Sequence, residues 1–479
     1  MKTAIRLLND NELAAVHSDS LKILAEVGVI FHSAKARQIL SRAGARVDED
    51  RNMVFFPAEM VEAALATSPR SFTLGARNPD YDIHLPSPVT MFGLDGQATF
   101  TLDFQTGERR EGRLSDIAYS CRLLQTLPQG GFFWPSVKAH DVPLASMLFN
   151  ELCTALSHTS KHAQHEVHHS GQIPYLLQIL EAVAGSADEV RRRKLFSIVY
   201  CTLPPLRHDA EMCEAYLELL DYEIPILVLP MNAPGSTGPA SLRSNLALAN
   251  AEALSAICLF QTAKPGTPMI YAASQGGTNF ADGGFMTGSV EAAMLNAAAV
   301  EMARHYGLPC AASGCTSEAK FPGDQVMVEK MQSLLPAFLA GPDLFVGLGE
   351  MDSAQLLVLE QVLMDYELVR HCQRLKDGID FSESKNFFAD IHKVGAGGNF
   401  FALPRTAKMC RSAEFLPAGL SHKGSYDNWL KAGSPGLRSR ARQRVEEILA
   451  APLADPLPDK VLETLETILA RMAEDKSLA

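Results

Sequence analysis

The segment from His165 to His169 has the spacing H-E-x-x-H, with which some helices of hydrolases hold zinc. On a helix, this spacing places two imidazoles on one face for the metal and a glutamate beside them as the base. A glycine and a proline follow closely, so a strand end and a loop are favoured over a long helix. We therefore expect no bound metal and expect His165 to line a pocket. Zinc-dependent hydrolysis with His165, Glu166 and His169 stays an alternative.

Three later segments combine glycines with small polar side chains, which is typical of loops that receive a ligand. They cover residues 274–285, 313–320 and 347–353. We expect Gln275 in these loops, Asn399 further along the chain and His165 to orient a substrate or its carboxylate. We expect Glu350 to supply a charge in the mouth of the site. Cys315 has no neighbouring base in the sequence, and we expect it to line the pocket rather than act as a nucleophile.

Aromatic side chains close to these segments could surround a cation, although each alone more often packs in a core. The candidates are Phe92, Trp134 and Phe285. The chain has two tryptophans, and Trp134 stands at the end of a predicted strand. A cage of this kind predicts a positively charged substrate.

The candidate residues follow short apolar runs that alternate with amphipathic helical segments. Seven such runs lie between residues 131 and 347. Repeated βα units form either a closed barrel or an open doubly wound sheet. The open sheet usually carries a glycine-rich phosphate turn early, whereas residues 395–400 are late in the chain and have Phe400 in place of the third glycine. We predict an α/β fold, a (β/α)8 TIM-type barrel.

The sequence predicts that the chain has three parts. Residues 1–112 contain three helical segments and short strands, and we expect an N-terminal extension packed on the barrel. Residues 113–432 are predicted to form the barrel. Residues 433–479 contain two charged amphipathic segments, which predict C-terminal helices outside the barrel.

The composition excludes several classes of protein. With 47% hydrophobic and 20% charged residues in 479, the chain is not predominantly disordered. A formal net charge of −12 argues against binding to nucleic acid or to an anionic membrane. We expect a cytoplasmic protein, because no apolar signal segment is visible and the nine cysteines are scattered without CxxC spacing.

Short strings along nearly the whole chain resemble the trimethylamine methyltransferase family, which comprises corrinoid-dependent amine methyltransferases. Each string is weakly specific alone, but their order along the chain is specific. The strings are LAEVGV at 24–29, TGERR at 106–110, DVP at 141–143, TSKH at 159–162, SEAK at 317–320, DQ at 324–325, GAGGNF at 395–400 and SYDNW at 425–429.

The resemblance implies a (β/α)8 barrel that moves a methyl group from a methylated amine to the cobalt of a separate corrinoid protein. No cofactor is then bound permanently, since the partner protein presents the cobalamin. Archetypal members carry pyrrolysine, whereas this chain has only standard residues. It therefore resembles the non-pyrrolysine branch, whose characterised members use quaternary amines such as glycine betaine. The resemblance implies that loops with Gly276, Gly277, Gly314, Gly349 and Gly397 face the corrinoid.

This chemistry explains why no acid or base residue stands out. A quaternary ammonium already has a neutral amine as its leaving group, so we predict no catalytic acid or base. We also predict a homo-oligomer. A barrel that binds betaines without catalysis stays a second alternative to the methyltransferase.

Overall fold

The computed structural model describes residues 4–475, and its centre is a closed barrel of eight parallel strands. The strands are β1 Met91–Leu94, β2 Gly130–Phe133, β3 His162–His165, β4 Phe196–Cys201, β5 Ile226–Leu229, β6 Met269–Tyr271, β7 Ala311–Ser313 and β8 Leu344–Leu348. Each strand pairs with the next in chain order, β8 pairs with β1, and a parallel bridge between Tyr271 and Cys310 joins β6 to β7. The predicted (β/α)8 barrel is confirmed.

A long helix follows each strand and packs on the outside of the barrel. The helices are α1 Leu114–Thr126, α2 Met147–His158, α3 Ile173–Ala184, α4 Ala210–Leu219, α5 Leu242–Ala263, α6 Val290–Tyr306, α7 Asp324–Ala340 and α8 Leu359–Asp377. By length and composition α5 could cross a membrane, but 89% of its apolar window is buried inside the protein. It is a core helix between the barrel and the N-terminal helices.

The first strand of the barrel comes from the range 1–112, which we predicted as the extension. β1 pairs with both β2 and β8, so it belongs to the barrel wall. The hairpin of Phe100–Leu102 and Arg109–Glu111 separates β1 from α1. That insertion hides the βα alternation at this point. Residues 1–112 thus supply a barrel strand as well as surrounding elements.

Alternate side chains of the strands fill the barrel with an apolar cluster. Phe132, Val199, Leu227 and Leu344 belong to it, together with side chains of the hairpin Phe72–Leu74 and Ile83–Leu85. The N–H of Gly75 donates to the carbonyl of Lys194, just before β4 begins. The hairpin therefore closes the amino-terminal end of the barrel, and only the carboxyl end is left for a ligand.

The N-terminal helices lie against α5. The first spans Asp10–Lys22 and continues into the π turn Ile23–Val27. It ends at Gly28, where φ is 78° and a side chain would be strained. The other two helices are Ala34–Arg42 and Ala58–Thr67, and the small sheet beside them consists of Val29–Phe31, Arg46–Asp48, Met53–Phe55 and Arg207–His208.

The chain after α8 forms a largely exposed segment, residues 378–436, which we call the arm. It contains the short helices Phe388–Val394, Pro404–Cys410 and Tyr426–Lys431. Beyond it, Leu437–Ala450 packs on α8 and α1, and Asp459–Glu474 packs on α3. The two predicted C-terminal helices are confirmed, and residues 476–479 lie outside the described residues.

Candidate active site

A cavity of about 230 Å³ lies at the carboxyl ends of the barrel strands. Its wall comes from residues directly after β1, β2, β5, β6, β7 and β8 and from the hairpin Gly277–Thr278 with Phe285–Met286. In a (β/α)8 barrel this is the end at which ligands bind. Of the residues predicted for the site, Trp134, Gln275, Phe285 and Gly314 line the cavity. Their role toward a substrate stays a prediction.

Trp134 and Phe285 are the aromatic side chains of the wall. Trp134 is only 5% exposed and packs on Gly96, where a Cβ would come within 2.7 Å of the indole ring. Phe285 is 38% exposed and covers Gly276, where a Cβ would overlap its ring. The two glycines therefore bring the aromatic rings to the cavity.

Phe92 does not belong to this wall, contrary to our prediction. Its ring centroid lies 5.2 Å from that of Phe345 and 5.8 Å from that of Phe338 on α7. Successive side chains of a strand point to opposite faces, and Phe92 faces the outer helical layer. It is a core residue and cannot form a cation cage.

Asp95, which the sequence analysis missed, provides a carboxyl group in the cavity wall. Burial raises its pKa to about 6, although the N–H of Gly96 and the charge of Lys330 partly offset this. Glu350 is wholly buried and does not line the cavity, so it does not supply the predicted charge in the mouth. Burial and then the charge of Asp95 raise the pKa of Glu350 well above its usual value.

A buried ion pair holds the loops after β7 and β8. The Nζ atom of Lys330 lies 2.7 Å from Asp365, and both side chains are inaccessible to solvent. Lys330 also donates to the carbonyl of Cys315, and Asp365 accepts from the N–H of Gly349, each at 2.7 Å. Burial raises the pKa of the Cys315 thiol well above its usual value, and Cys315 lies beneath the loop rather than in the cavity wall.

Some polar groups of the cavity wall have hydrogen-bond partners within the chain, and others do not. The Oε1 atom of Gln275 accepts from the amide of Asn245 at 2.9 Å, so Gln275 is fixed in place. By contrast, the buried Nε1 atom of Trp134 and the buried Oγ1 atom of Thr287 have no hydrogen-bond partner among residues 4–475. Both residues line the cavity. Unpartnered buried polar atoms are unfavourable unless a ligand satisfies them.

His165 reaches the cavity only through two other side chains. Its Nε2 atom lies 3.0 Å from Glu151, which also accepts a hydrogen bond of 2.9 Å from the amide of Gln97. Gln97 lines the cavity, and it also lines a neighbouring cavity of about 530 Å³ together with His165. The missed residue Glu151 is thus the link between them.

The H-E-x-x-H segment lacks the geometry of a zinc site. His165 is the last residue of β3, and His168 and His169 follow in a loop before the 3-10 turn Ser170–Gln172. The two imidazoles are therefore not one helical turn apart. Within the described part of the chain, no group of three His, Cys, Asp or Glu side chains could hold a metal. The structure gives no support to the zinc hydrolase alternative.

Asn399 and Gly397 lie exposed on the arm and line no part of the cavity. The Oδ1 atom of Asn399 accepts from the N–H of Phe401. Packing within the chain already explains three of the other predicted glycines. A Cβ would meet Ser289 at Gly277, the Ser333 carbonyl at Gly314 and Val362 at Gly349, each at 2.6 Å.

The loop after β8 brings strained backbone to the cavity. Asp352, Ser353 and Ala354 have φ values of 55°, 53° and 63°, the left-handed region that glycine usually occupies. Ser353 and Ala354 line the cavity. Asp352 is held by Lys320, and Ser353 by Glu318. Strain of this kind is found at functional sites, and the absence of glycine concealed it in the sequence.

The family model for trimethylamine methyltransferase (MTTB) matches residues 2–476 of this chain. The chain belongs to the trimethylamine methyltransferase family. It is similar to the trimethylamine methyltransferase of Desulfitobacterium hafniense (strain DSM 10664 / DCB-2), with 30% identity over 474 residues, which cover 98% of this chain and 95% of that protein. The resemblance read from the sequence strings is thereby confirmed.

This trimethylamine methyltransferase family member is also similar to one further curated protein and to one solved structure. The glycine betaine methyltransferase of Desulfitobacterium hafniense (strain Y51) is 27% identical over 474 residues, which cover 98% of this chain and 97% of that protein. The crystal structure of the Methanosarcina barkeri monomethylamine methyltransferase aligns with 97% of this chain and 94% of its own, at 10% identity and a TM-score of 0.47. Membership of the family makes the chain a methyltransferase.

For a member of the trimethylamine methyltransferase family, the composition of the cavity is well suited to a cationic amine. Two aromatic rings and the carboxyl of Asp95 line it. No lysine, arginine or histidine among residues 4–475 lines it. Aromatic faces and a carboxylate attract a cation, and nothing in the wall repels one.

Proposed function

We propose that this protein transfers a methyl group from a quaternary amine to the cobalt of a separate corrinoid protein. The observation that carries the proposal is the cavity at the barrel mouth, where Trp134, Phe285 and Asp95 face the same space. Relatives named for trimethylamine and for glycine betaine support an amine as the methyl donor. From the sequence we predicted a glycine betaine-like amine. The cavity supports one part of that prediction, the quaternary nitrogen of the substrate.

The residues of the chain bind and orient the amine. Trp134 and Phe285 replace water around the methyl groups, and each good cation–π contact contributes about 0.5–2 kcal/mol. Holding one methyl group in line with its acceptor can supply about 7–11 kcal/mol of the barrier. When the carbon–nitrogen bond breaks, its electron pair stays on nitrogen and a neutral tertiary amine leaves. The product then loses its attraction to Asp95, which favours its release.

The methyl acceptor belongs to the partner protein, whose corrinoid supplies a strongly nucleophilic cobalt. The rim of the barrel mouth fits such a partner, because apolar side chains on four of its loops are at least 40% exposed. They are Leu144 after β2, Leu203 after β4, Phe280 after β6 and Phe321 after β7. Exposed apolar patches mark surfaces that bind another molecule. A corrin ring and the domain that presents it would cover them.

The proposal is tested by mixing the protein with a reduced cobalt(I) corrinoid protein and a series of quaternary amines. We expect loss of the cobalt(I) absorbance together with stoichiometric appearance of the tertiary amine. The variant Trp134→Leu should slow both, while Trp429→Leu, the same change on the exposed arm, should not. Failure of every quaternary amine to react would overturn the proposal, and binding without turnover would favour the non-catalytic barrel.

We also propose that the predicted homo-oligomer forms through the arm. Phe381 and Phe401 are 88% and 89% exposed, which is unfavourable for phenylalanine in an isolated chain. The arm has more lysine and arginine than aspartate and glutamate, whereas the whole chain has a net charge of −12, so the arm complements the rest of a second copy. Light scattering should give a multimer for the wild type and a smaller mass for the Phe381→Ser, Phe401→Ser variant. Equal masses would overturn this.

A further inference from the structure

We propose that the methylated amine bound in this cavity is a quaternary ammonium alcohol, and that Trp134 and Thr287 bind its hydroxyl group. The inference rests on the proposed function, since it concerns the same cavity. It adds a hydroxyl group to the quaternary nitrogen as the second functional group of the substrate. Choline, in which two carbons separate the quaternary nitrogen from the hydroxyl, is the simplest compound of this class.

An oxygen in the ligand would satisfy two polar atoms of the wall. The Nε1–H of Trp134 and the hydroxyl of Thr287 are both buried and have no partner among the described residues. Trp134 as a whole is 95% buried. A ligand oxygen could accept from the indole N–H and also exchange a hydrogen bond with Thr287. A simple alkylammonium ion would leave both atoms unsatisfied.

The charges around the cavity favour a neutral oxygen over a carboxylate. Asp95 lines the wall, and its charge lies close enough to the buried Glu350 to raise the pKa of that side chain further. The positive charge that reaches Asp95 is that of Lys330, which is wholly buried and already paired with Asp365. A substrate carboxylate would lose its hydration and face Asp95 without a cation beside it. A hydroxyl carries no charge and avoids this penalty.

The position of Asp95 relative to Trp134 sets a short distance between the two groups of the ligand. The Oδ1 atom of Asp95 accepts from the N–H of Gly96 at 3.1 Å. A Cβ on that same glycine would lie 2.8 Å from the Nε1 atom of Trp134. The carboxyl that attracts the ammonium and the N–H that binds the oxygen therefore lie on adjoining parts of the wall. A linker of two carbons suits this arrangement.

Calorimetric binding of choline, tetramethylammonium and glycine betaine to the full-length protein tests the inference. For the wild type, we expect choline to bind about 2- to 10-fold tighter than tetramethylammonium, which corresponds to one or two net hydrogen bonds. Glycine betaine should bind most weakly. Thr287→Val should remove part of the preference for choline and leave tetramethylammonium affinity unchanged. Trp134→Phe should weaken tetramethylammonium binding and weaken choline binding more. Trp429→Phe, the same change on the arm, should alter neither affinity.

The possible failures are distinguishable. If glycine betaine binds tighter than choline, or if Trp134→Phe leaves the preference for choline intact, the hydroxyl assignment is overturned while the proposed function stands. If tetramethylammonium, choline and glycine betaine all fail to bind and to react with a cobalt(I) corrinoid protein, both are overturned. Unchanged tetramethylammonium binding by Thr287→Val also shows that this variant is folded, so a loss confined to choline supports the inference.

Discussion

The Nε2 atom of His165 lies 3.0 Å from the Oε2 atom of Glu151, and both side chains are buried. The same carboxylate accepts from the Gln97 amide at 2.9 Å and from the N–H of Ala139 at 2.8 Å. Because Gln97 lines the cavity after β1, Glu151 connects the cavity wall to the end of β3. The carboxylate is surrounded by donors and thus has a positioning role rather than a metal-binding one.

We predict that Glu151→Gln lowers the free energy of unfolding by about 1.5–3 kcal/mol. The NH2 group of the new amide is itself a donor, and it would face the Gln97 amide or the N–H of Ala139 that now donates to the carboxylate. Urea denaturation measures this. The matched control is Glu62→Gln, which alters the exposed pair of His17 and Glu62 and should cost less than about 1 kcal/mol. Equal effects of the two substitutions would contradict a positioning role for Glu151.

Asp95 should make the affinity for a quaternary amine depend on pH. Burial raises its pKa to about 6, so the carboxyl is ionised above this pH and protonated below it. Attraction to a cation is therefore present above about pH 7 and lost as the pH falls through 6. The charge of Lys330 lowers the pKa of Asp95, and the charge of Asp95 raises the pKa of the neighbouring Glu350.

Calorimetry with tetramethylammonium between about pH 5 and 8 measures this dependence. Asp95→Asn should bind about 10-fold more weakly at the upper end of the range and lose the change near pH 6. Tetramethylammonium has no titratable group, so any pH dependence comes from the protein. The prediction fails if the asparagine variant keeps the wild-type pH profile.

The buried pair of Lys330 and Asp365 should be costly to break on one side only. Lys330→Met leaves Asp365 buried without its cation, and we expect a loss of about 3–5 kcal/mol in the free energy of unfolding. The double variant Lys330→Met, Asp365→Leu should recover much of this loss, since no unpaired charge remains. Denaturant unfolding of both single variants and the double variant tests the coupling. Additive losses would contradict it.

Local sequence signals were sufficient to predict most of the barrel. Six of the strands after β1 are largely apolar runs, several of them preceded by a proline or glycine that ends the previous helix, whereas β3 has the more polar sequence HAQH. β1 was predicted as a strand but not as part of the barrel, because an inserted hairpin follows it instead of a helix. The partner of a strand depends on residues far away in sequence, and no local pattern shows it.

The candidate site was predictable where a residue stands in the loop just after a strand, as do Trp134 and Gln275. Asp95 also follows a strand. It was missed because β1, the strand before it, was assigned to the N-terminal extension and not to the barrel. Cys315 and Glu350 stand in the predicted loops but lie behind the cavity wall, because the Lys330–Asp365 pair draws those loops inward. Asn399 lies on the arm, whose exposed position only tertiary packing determines.

The different environments of Phe92 and Phe285 give a final prediction. Phe92 is wholly buried between β8 and α7, so Phe92→Ala should lower the free energy of unfolding by about 3–5 kcal/mol. Phe285 is 38% exposed at the cavity, and Phe285→Ala should cost far less stability.

Binding should show the opposite order. Loss of one cation–π contact in Phe285→Ala should weaken tetramethylammonium binding about 2- to 30-fold, which corresponds to about 0.5–2 kcal/mol. Folded Phe92→Ala protein should keep its affinity, because that ring does not face the cavity. Urea denaturation and calorimetry on the same two variants separate these effects. A loss of affinity in Phe92→Ala with none in Phe285→Ala would mean that the cation binds elsewhere than in this cavity.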